Sequence, residues 1–587
     1  MTLSVDKLFQ AVFERQVAIQ PRRLAFVSNS QQLTFQELNV RANCLAHQLQ
    51  SLGIGPGDIV GICIHSSPEL AIACIGVLKT GAAFVGIEPN FPASRISGIL
   101  VDAGCKVLVL GAAGERFEDF GGHKLFVNGE LRRTPAETKN PECRSKPGDL
   151  FQVIYTSGST GEPKGVLVTA NSFLRKLEWM HERCPIEDGD VLLMYRSIGL
   201  AAGTWDCFMG PLAGVPTVIV GRNELSDPAR LWKTLCDHHV SHLFASPMLI
   251  QALLDPAEHN KSIKPSLKLV TSSGEHLSKK IVKRWMAMFP EVPLLDVYGT
   301  SEYPSGMIRE ASDTLRRGVK EMKWAPTKAT VVRILNDDLS ETTKGQTGEI
   351  YLSGLHLAEG YLNAPDLTAE RFIACPSKPE VRMFRTGDLG RPYEDGTFEV
   401  LGRNDDIVNI RGFRVGLAEV ECALADHDGL RESAVVAFGD PLRLVTFYVP
   451  ISSTSEGDLR AYLEQRLPQY MMPAHFIKKP RLPRTHAGKL DRNALLDDWQ
   501  NLNRKSSSNP PATSLEKQVE KIWIEVLQLP DVGVNDEFLK LGGDSIGAMR
   551  ILSRINGTFG LSLGFRDLLD SPTIKDQAKL LEARLSK

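Results

Sequence analysis

Tyr155-Thr156-Ser157-Gly158-Ser159-Thr160-Gly161-Glu162-Pro163-Lys164-Gly165 holds three glycines, four Ser/Thr hydroxyls and one lysine within eleven residues. A short apolar run, Phe151 to Tyr155, precedes the glycines, and Val166 to Val168 follows them. The pattern reads as strand, turn and second strand. Glycine lets backbone N–H groups converge on an anion with no Cβ in the way. The hydroxyls add donors, and the lysine supplies a mobile charge for phosphate. An ordinary Ser/Gly hairpin loop is the plainer reading, but the fixed lysine between two strands favours phosphate binding. The stretch is not a Walker loop, because GxxxxGK[ST] is absent and no helix pattern follows.

Outward from this loop, the 587 residues are 42% hydrophobic and 24% charged, the composition of a globular protein with room for about four domain-sized units. A net charge of −2 gives no electrostatic case for nucleic acid or an anionic membrane as partner. The ten cysteines are scattered singly, with no CxxC pair and no metal-ligand spacing, so reduced thiols are expected. Met1 to Val27 lacks the apolar core of a signal peptide. Ala71 to Ile87 is apolar but short, and carries Lys79 with three glycines. The expected location is the cytoplasm.

From Val5 to about Leu401, strand-like runs alternate with amphipathic helical stretches, as in Ile59 to Ile64, Leu70 to Thr80, Ala83 to Ile87, Arg95 to Ala103 and Lys106 to Leu110. That predicts a large α/β part with helix-covered parallel strands. At Gly402-Arg403-Asn404-Asp405 the pattern changes to a small α+β segment. Asn503 to Ala512, rich in Ser and Pro, reads as linker. Thr513 and Glu516 then sit at capping-box spacing, and Leu515, Val519, Ile522, Trp523 and Val526 share one helical face, predicting an all-α bundle of four helices. The expected divisions are 1–404, 405–500, a linker at 501–512, and 513–587.

Seven further stretches accompany the loop. They are Leu78-Lys79-Thr80-Gly81-Ala82; Asp296-Val297-Tyr298-Gly299-Thr300-Ser301-Glu302; Gly348-Glu349-Ile350 with Gly360-Tyr361-Leu362; Arg385-Thr386-Gly387-Asp388-Leu389; Gly402 to Arg414; Leu467-Pro468-Gln469-Tyr470-Met471; and Gly488-Lys489-Leu490-Asp491-Arg492. In this order they resemble the adenylate-forming superfamily, and within it the adenylation domain of nonribosomal peptide synthetases and synthetase-like relatives. Phe538-Leu539-Lys540-Leu541-Gly542-Gly543-Asp544-Ser545-Ile546 resembles a peptidyl or acyl carrier domain.

The resemblance implies that a carboxylate attacks the α-phosphorus of ATP, giving acyl-adenylate and pyrophosphate. Such catalysis is mostly positioning plus preorganised positive potential. The implied holder of the β- and γ-phosphates is the loop Thr156, Ser157, Gly158, Ser159, Thr160, Gly161 to Lys164. Tyr298 is implied against the adenine, with Gly299 and Thr300 in the same ATP-binding turn. Ser301 serves the α-phosphate, Glu302 serves Mg²⁺, and Asp388 accepts from the ribose hydroxyls with Arg403 nearby. Lys489 bridges the acid and the α-phosphate. Asp405 is the implied hinge that swings the small part, and Ser545, at the start of a helix pattern from Ile546 to Ile555, carries 4′-phosphopantetheine. The carrier arm supplies the thiol at high effective concentration.

The sequence departs from amino-acid-activating members at Leu200-Ala201-Ala202-Gly203-Thr204-Trp205-Asp206. Ala201 stands where they use an aspartate for the substrate's α-ammonium, and Asp206 comes five residues too late. An ammonium buried without an acceptor is costly, so an α-amino acid is disfavoured. The same alignment puts Ala202, Trp205, Phe244, Val270, Ser272, Val297, Ser305 and Gly306 along an apolar acid pocket. An aryl acid, an α-keto or hydroxy acid, or a quaternary-ammonium acid such as glycine betaine all fit. The last is the favoured guess, because each of two aromatic faces contributes roughly 0.5–2 kcal/mol of cation–π attraction. Glu359, Asn409 and Gly416 are smaller departures, from arginine, lysine and glutamate.

The expectation is therefore ATP-dependent activation of a small carboxylic acid and its transfer to the fused carrier, with ATP, Mg²⁺ and phosphopantetheine as cofactors. A phosphopantetheinyl transferase, and a downstream reductase or other release domain in cis or trans, are the expected partners. No condensation domain is expected ahead of the large part. With a terminal reductase the whole would be a carboxylic acid reductase. The rival readings are an acyl-CoA ligase and a non-catalytic nucleotide binder.

Overall fold

Apolar, β-branched runs flanked by helices give two sheets in the large N-terminal part, and the glycine-rich loop joins two strands of one of them. The computed structural model describes the chain except residues 1–7, 30, 112–119, 128–136, 157–162, 226, 260–263, 275–276, 317–322, 404–406, 411–412, 426, 440–441, 452–453, 485–489, 506–510, 528–531, 539–540, 542–544, 562 and 586–587, and some side chains including those of Arg403 and Ser545. One sheet has seven strands, in the order Gly360–Tyr361, Lys164–Thr169, Leu150–Thr156, Ala83–Gly86, Ile59–Cys63, Val107–Leu110 and His123–Phe126. It is parallel except where Lys164–Thr169 pairs antiparallel with both its neighbours.

The second sheet has nine strands. Its middle, Leu294–Tyr298, Leu269–Ser273, His242–Ala245, Leu192–Met194, Thr217–Ile219 and Leu24–Val27, is parallel throughout. Phe26, Val60, Phe84, Phe208 and Leu295, drawn from both sheets and a helix between them, form one buried core. On the opposite face of the nine-stranded sheet, helices Pro228–Asp237, Pro247–His259 and Lys279–Met288 bury Leu231, Trp232, Ile250 and Trp285. A third, antiparallel sheet contains Gly348–Gly354, Lys378–Pro392 and Phe398–Arg403.

The Leu78 to Ala82 stretch shows how a motif can serve the fold rather than the chemistry. Helix Pro68–Thr80 starts on the Ser67 hydroxyl, which accepts from Leu70 N–H, and ends on Gly81 at φ 86°, where a side chain would be strained. Lys79 in its last turn is fully buried and paired with Glu14.

Beyond Arg403, Leu430–Phe438, Arg443–Pro450 and His475–Lys478 form a three-stranded sheet with its own cores. Helix Arg492–Lys505 runs into the stretch expected to be linker, because Asn503, Arg504 and Lys505 are compatible with helix and the first proline comes only at Pro510. Four helices follow, Ser514–Leu527, Ser545–Phe559, Phe565–Asp570 and Ile574–Leu585, around Trp523, Phe538, Ile551 and Leu581. The Thr513/Glu516 box forms reciprocally, at 3.0 and 3.1 Å.

The parts are joined by specific contacts. Arg95 and Glu419, both buried, pair across the large and small parts. Tyr470 stacks on Phe413 (centroids 3.9 Å apart) and leans on Phe91. Arg443 Nη1 donates to the Leu541 carbonyl at 2.9 Å. Asp255, buried on helix Pro247–His259, takes Arg284 Nη2 at 2.8 Å and reaches Arg550 Nε at 3.3 Å and Arg554 Nη2 at 3.6 Å on the C-terminal bundle. Among the described residues, no helix is long and apolar enough to cross a membrane.

Candidate active site

Of the expected site residues, Thr156 and Tyr298 stand at the carboxyl ends of parallel-paired strands, where a doubly wound sheet leaves a crevice. Strand Leu294–Tyr298 delivers Tyr298, whose hydroxyl donates to Asp388. Asp388 is held by its own motif. Arg385 Nε meets both carboxylate oxygens of Glu349 at 3.0 Å, and Gly387 N–H donates to the same carboxylate at 3.1 Å. The Thr386 hydroxyl donates to the Ile350 carbonyl at 2.7 Å while accepting from Asp388 N–H at 3.0 Å. Two of the quoted stretches thus act as one device that aims a carboxylate. Arg403 stands directly opposite Asp388 in the antiparallel ladder.

The turn after Tyr298 is tight. A side chain at Gly299 would come within 2.4 Å of Ser305 N, and Thr300 Oγ1 accepts from Tyr303 N–H at 3.1 Å. It places Glu302 in the interior, 1% exposed, where its carboxylate accepts from the Tyr361 hydroxyl at 2.8 Å. Lys164 Nζ lies over the Tyr361 ring, 4.5 Å from its centroid. Tyr361 therefore links the loop lysine to the buried glutamate. Thr156 and Lys164 face each other across the hairpin, and the buried Thr156 Oγ1 has no hydrogen-bond partner among the described residues. Ser157, Gly158, Ser159, Thr160 and Gly161 lie outside the described residues, as do Lys489 and Asp405. Ser301 occupies the turn beside Glu302, and Ser545 opens helix Ser545–Phe559.

The residues expected along the acid pocket begin on the first turns of helix Ala201–Ala213. Its Gly203 lies so close to the Ser197 carbonyl that a Cβ would sit 1.9 Å from the oxygen. Thr204 Oγ1 donates to Gln152 Oε1 at 2.6 Å, and Gln152 Nε2 donates to the Ile198 carbonyl at 2.8 Å, tying the helix to the phosphate-hairpin strand. Ala201, Ala202 and Trp205 occupy these turns, and the Trp205 and Phe244 rings pack on each other, centroids 4.7 Å apart and tilted by 60°. Ser305 is buried at φ 68°, a strained left-handed conformation for a non-glycine residue.

Strand alternation corrects two of the expected lining positions. Val270 packs with Leu243, Ala245 and Leu294 on the far face of the sheet, whereas Phe244 and Val297 belong to the near core. Thr271 is the register partner of Phe244, so it shares the Phe244 face and Val270 and Ser272 do not.

Four titratable side chains take places here that the sequence did not show. Asp206 is fully buried and bound by Arg196 through Nε at 2.9 Å and Nη2 at 2.5 Å. Lys176, buried on helix Ala170–Arg183, donates to the Ala201 carbonyl at 3.2 Å. Burial, with the Arg196 charge, pushes the Lys176 amine down to about 7, and Asp206 opposes this. His356 is 1% exposed beside the Ser305 backbone, and burial followed by the Lys176 charge lowers it to about 4. The spacing Phe173, Lys176, Leu177, Met180 places Lys176 on the apolar stripe of its helix, which was the available signal.

The AMP-binding enzyme family matches residues 13–362, more than half of the chain. The chain belongs to this family. The AMP-binding enzyme C-terminal domain matches residues 419–489 of this AMP-binding enzyme, and the phosphopantetheine attachment site domain matches 517–581. A dimodular nonribosomal peptide synthase of Bacillus subtilis is 34% identical over 99% of the chain, which spans 24% of that protein. Tyrocidine synthase 1 of Brevibacillus parabrevis is 33% identical over 99% of the chain, which spans 53% of it. Among solved structures, a holo NRPS protein containing adenylation and PCP domains superposes with a TM-score of 0.79 at 22% identity, covering 98% of this chain and 96% of that one. The o-succinylbenzoate CoA synthetase of Bacillus subtilis gives 0.74 at 22% identity over 83% and 98%. These two likenesses are of fold.

This AMP-binding enzyme is an adenylate-forming ligase of the NRPS-like kind: it activates a carboxylic acid with ATP and loads it as a thioester on a fused carrier domain. ATP with Mg²⁺ and 4′-phosphopantetheine are its cofactors. The residues present fit these groups. The buried Glu302 carboxylate, held by the Tyr361 hydroxyl, is the oxygen donor that would join substrate phosphates around Mg²⁺. The unpartnered Thr156 hydroxyl suits a phosphate oxygen.

Proposed function

We propose that the enzyme activates an acid lacking a free α-amino group, within the divisions 1–404, 405–500 and 513–587. The observation that supports this is the binding of Asp206, the one carboxylate of helix Ala201–Ala213, to Arg196, which leaves it committed away from the place held by Ala201. An α-ammonium placed there would be buried without an acceptor. The quaternary-ammonium reading has less support than the sequence suggested. The Trp205 and Phe244 rings contact each other and form a corner rather than two separated faces, and Lys176 brings a hydrogen-bond donor beside Ala201.

In this reading the hairpin loop from Thr156 to Lys164 holds the β- and γ-phosphates, and Tyr361 keeps Lys164 and Glu302 in fixed relation. Glu302 and the phosphates would hold Mg²⁺, which would offset the charge developing on the phosphoryl oxygens. Tyr298 lies against adenine, and Asp388 accepts from the ribose. Ser301 and Lys489 complete the α-phosphate and carboxylate contacts. Phosphopantetheine on Ser545 supplies the acyl-accepting thiol when attached, and Asp405 is the hinge between half-reactions.

Two outcomes follow. Asp388→Ala raises KM for ATP by about tenfold or more, as loss of a buried charge-assisted bond requires, while KM for the acid moves far less. Pyrophosphate exchange at varied ATP and varied acid measures both. Asp255→Ala leaves Arg284, Arg550 and Arg554 without their shared counter-charge, and burial of unpaired charge is unfavourable. Carrier loading then slows by about tenfold or more in single-turnover assays, while pyrophosphate exchange changes little.

The reading itself is tested by pyrophosphate exchange over glycine, dimethylglycine, glycine betaine, benzoate, phenylpyruvate and a hydroxy acid. Best activity with glycine would sink it.

A further inference from the structure

Lys176 and Trp205 are buried donors beside the position where an amino-acid-activating relative would carry an acceptor. Trp205 is 2% exposed, and its indole Nε1–H has no hydrogen-bond partner among the described residues. It sits one helical turn after Ala201, on the same face. Lys176 Nζ spends one donor on the Ala201 carbonyl at 3.2 Å and has further N–H groups to give. No acceptor is added by the charged neighbours. Asp206 is committed to Arg196, and Glu302 accepts from Tyr361. A buried donor left unpaired costs free energy, so a site of this kind selects a ligand that brings the acceptor.

We propose that Lys176 and Trp205 recognise an oxygen on the α-carbon of the acid, so that the substrate class is an α-keto or α-hydroxy acid. This rests on the reading of an acid without a free α-amino group, and deepens it. Lys176 is poised to respond. Arg196 and His356 face it as neighbouring bases and Asp206 as the neighbouring acid, and an arriving oxygen acceptor favours its charged form. A fixed cation on the α-carbon would instead meet the amine and the indole N–H, with no acceptor in return.

The test uses the full-length enzyme and two matched series of acids that differ only at the α-carbon. These are pyruvate, lactate, alanine and propionate, and their phenyl-bearing counterparts phenylpyruvate, phenyllactate, phenylalanine and 3-phenylpropanoate, with glycine betaine alongside. In at least one series, kcat/KM for pyrophosphate exchange is expected to be about tenfold or more higher with the keto or hydroxy acid than with the unsubstituted one. Trp205→Phe keeps an aromatic face and loses only the N–H. Lys176→Met keeps the buried stem and loses the donor. Each is expected to bring the ratio of α-oxygen acid to unsubstituted acid close to one, without a matching rise in KM for ATP.

Best activity with propionate, 3-phenylpropanoate or glycine betaine overturns this inference and leaves the parent reading standing. Best activity with alanine or phenylalanine overturns the parent reading too. Variants that slow every acid by the same factor show a structural role only, and also overturn it.

Discussion

Ser545→Ala abolishes phosphopantetheine attachment and acyl loading while leaving acid-dependent pyrophosphate exchange within about twofold of the parent enzyme. The serine opens helix Ser545–Phe559, whose remaining turns are anchored by Ile551 and Ile555 in the bundle core, so alanine at the first position does not endanger the fold. Removing the hydroxyl removes the point of covalent attachment and nothing needed to form the adenylate. Intact-protein mass after treatment with a phosphopantetheinyl transferase and coenzyme A reads the first effect, and radiolabelled exchange reads the second. Thioester formation on free coenzyme A by the variant, at the parental rate, would instead identify an acyl-CoA ligase.

Lys489→Ala lowers the adenylation rate by about 10²–10³, the loss typical of one preorganised charge aimed at a developing oxyanion. In the chain Lys489 stands between Arg484 and Leu490, which pair as an isolated antiparallel bridge, while Asp491 N–H donates to the Pro483 carbonyl at 3.0 Å. The residues on either side of it are thus fixed on the small part. Transfer from a chemically supplied acyl-adenylate to the holo carrier should survive the substitution. Equal losses in both half-reactions would place Lys489 in the fold rather than in the first chemical step.

Much of this was legible in the sequence because the signals are local. The apolar flanks of the Tyr155 to Gly165 stretch pair as antiparallel strands, with Thr156 opposite Lys164. Arg385, Thr386 and Gly387 could be quoted as a motif, but their work of aiming Asp388 through Glu349 joins strands 36 or more residues apart. Lys79, quoted within the Leu78 to Ala82 motif, is a buried helix-end partner of Glu14. Val270 and Ser272 failed as lining residues because a strand turns alternate side chains to opposite faces, and an alignment does not carry the strand's facing.

What the sequence hid is long-range or contrary to type. Asp255 reaches Arg550 across 295 positions. Lys176 is a lysine on an apolar helical stripe, where an aliphatic residue would ordinarily stand, and its proximity to Ala201 exists only in the folded chain. Both bear on specificity or docking. The reaction as proposed rests on residues that short motifs already exposed.

The central claim is tested most directly by the mass of the holo-enzyme after incubation with ATP, Mg²⁺ and the best acid of the panel. The account predicts an ATP-dependent gain equal to the acyl group, carried on the peptide that contains Ser545 and released by hydroxylamine. Acid-dependent pyrophosphate exchange with no acyl group on that peptide would contradict it.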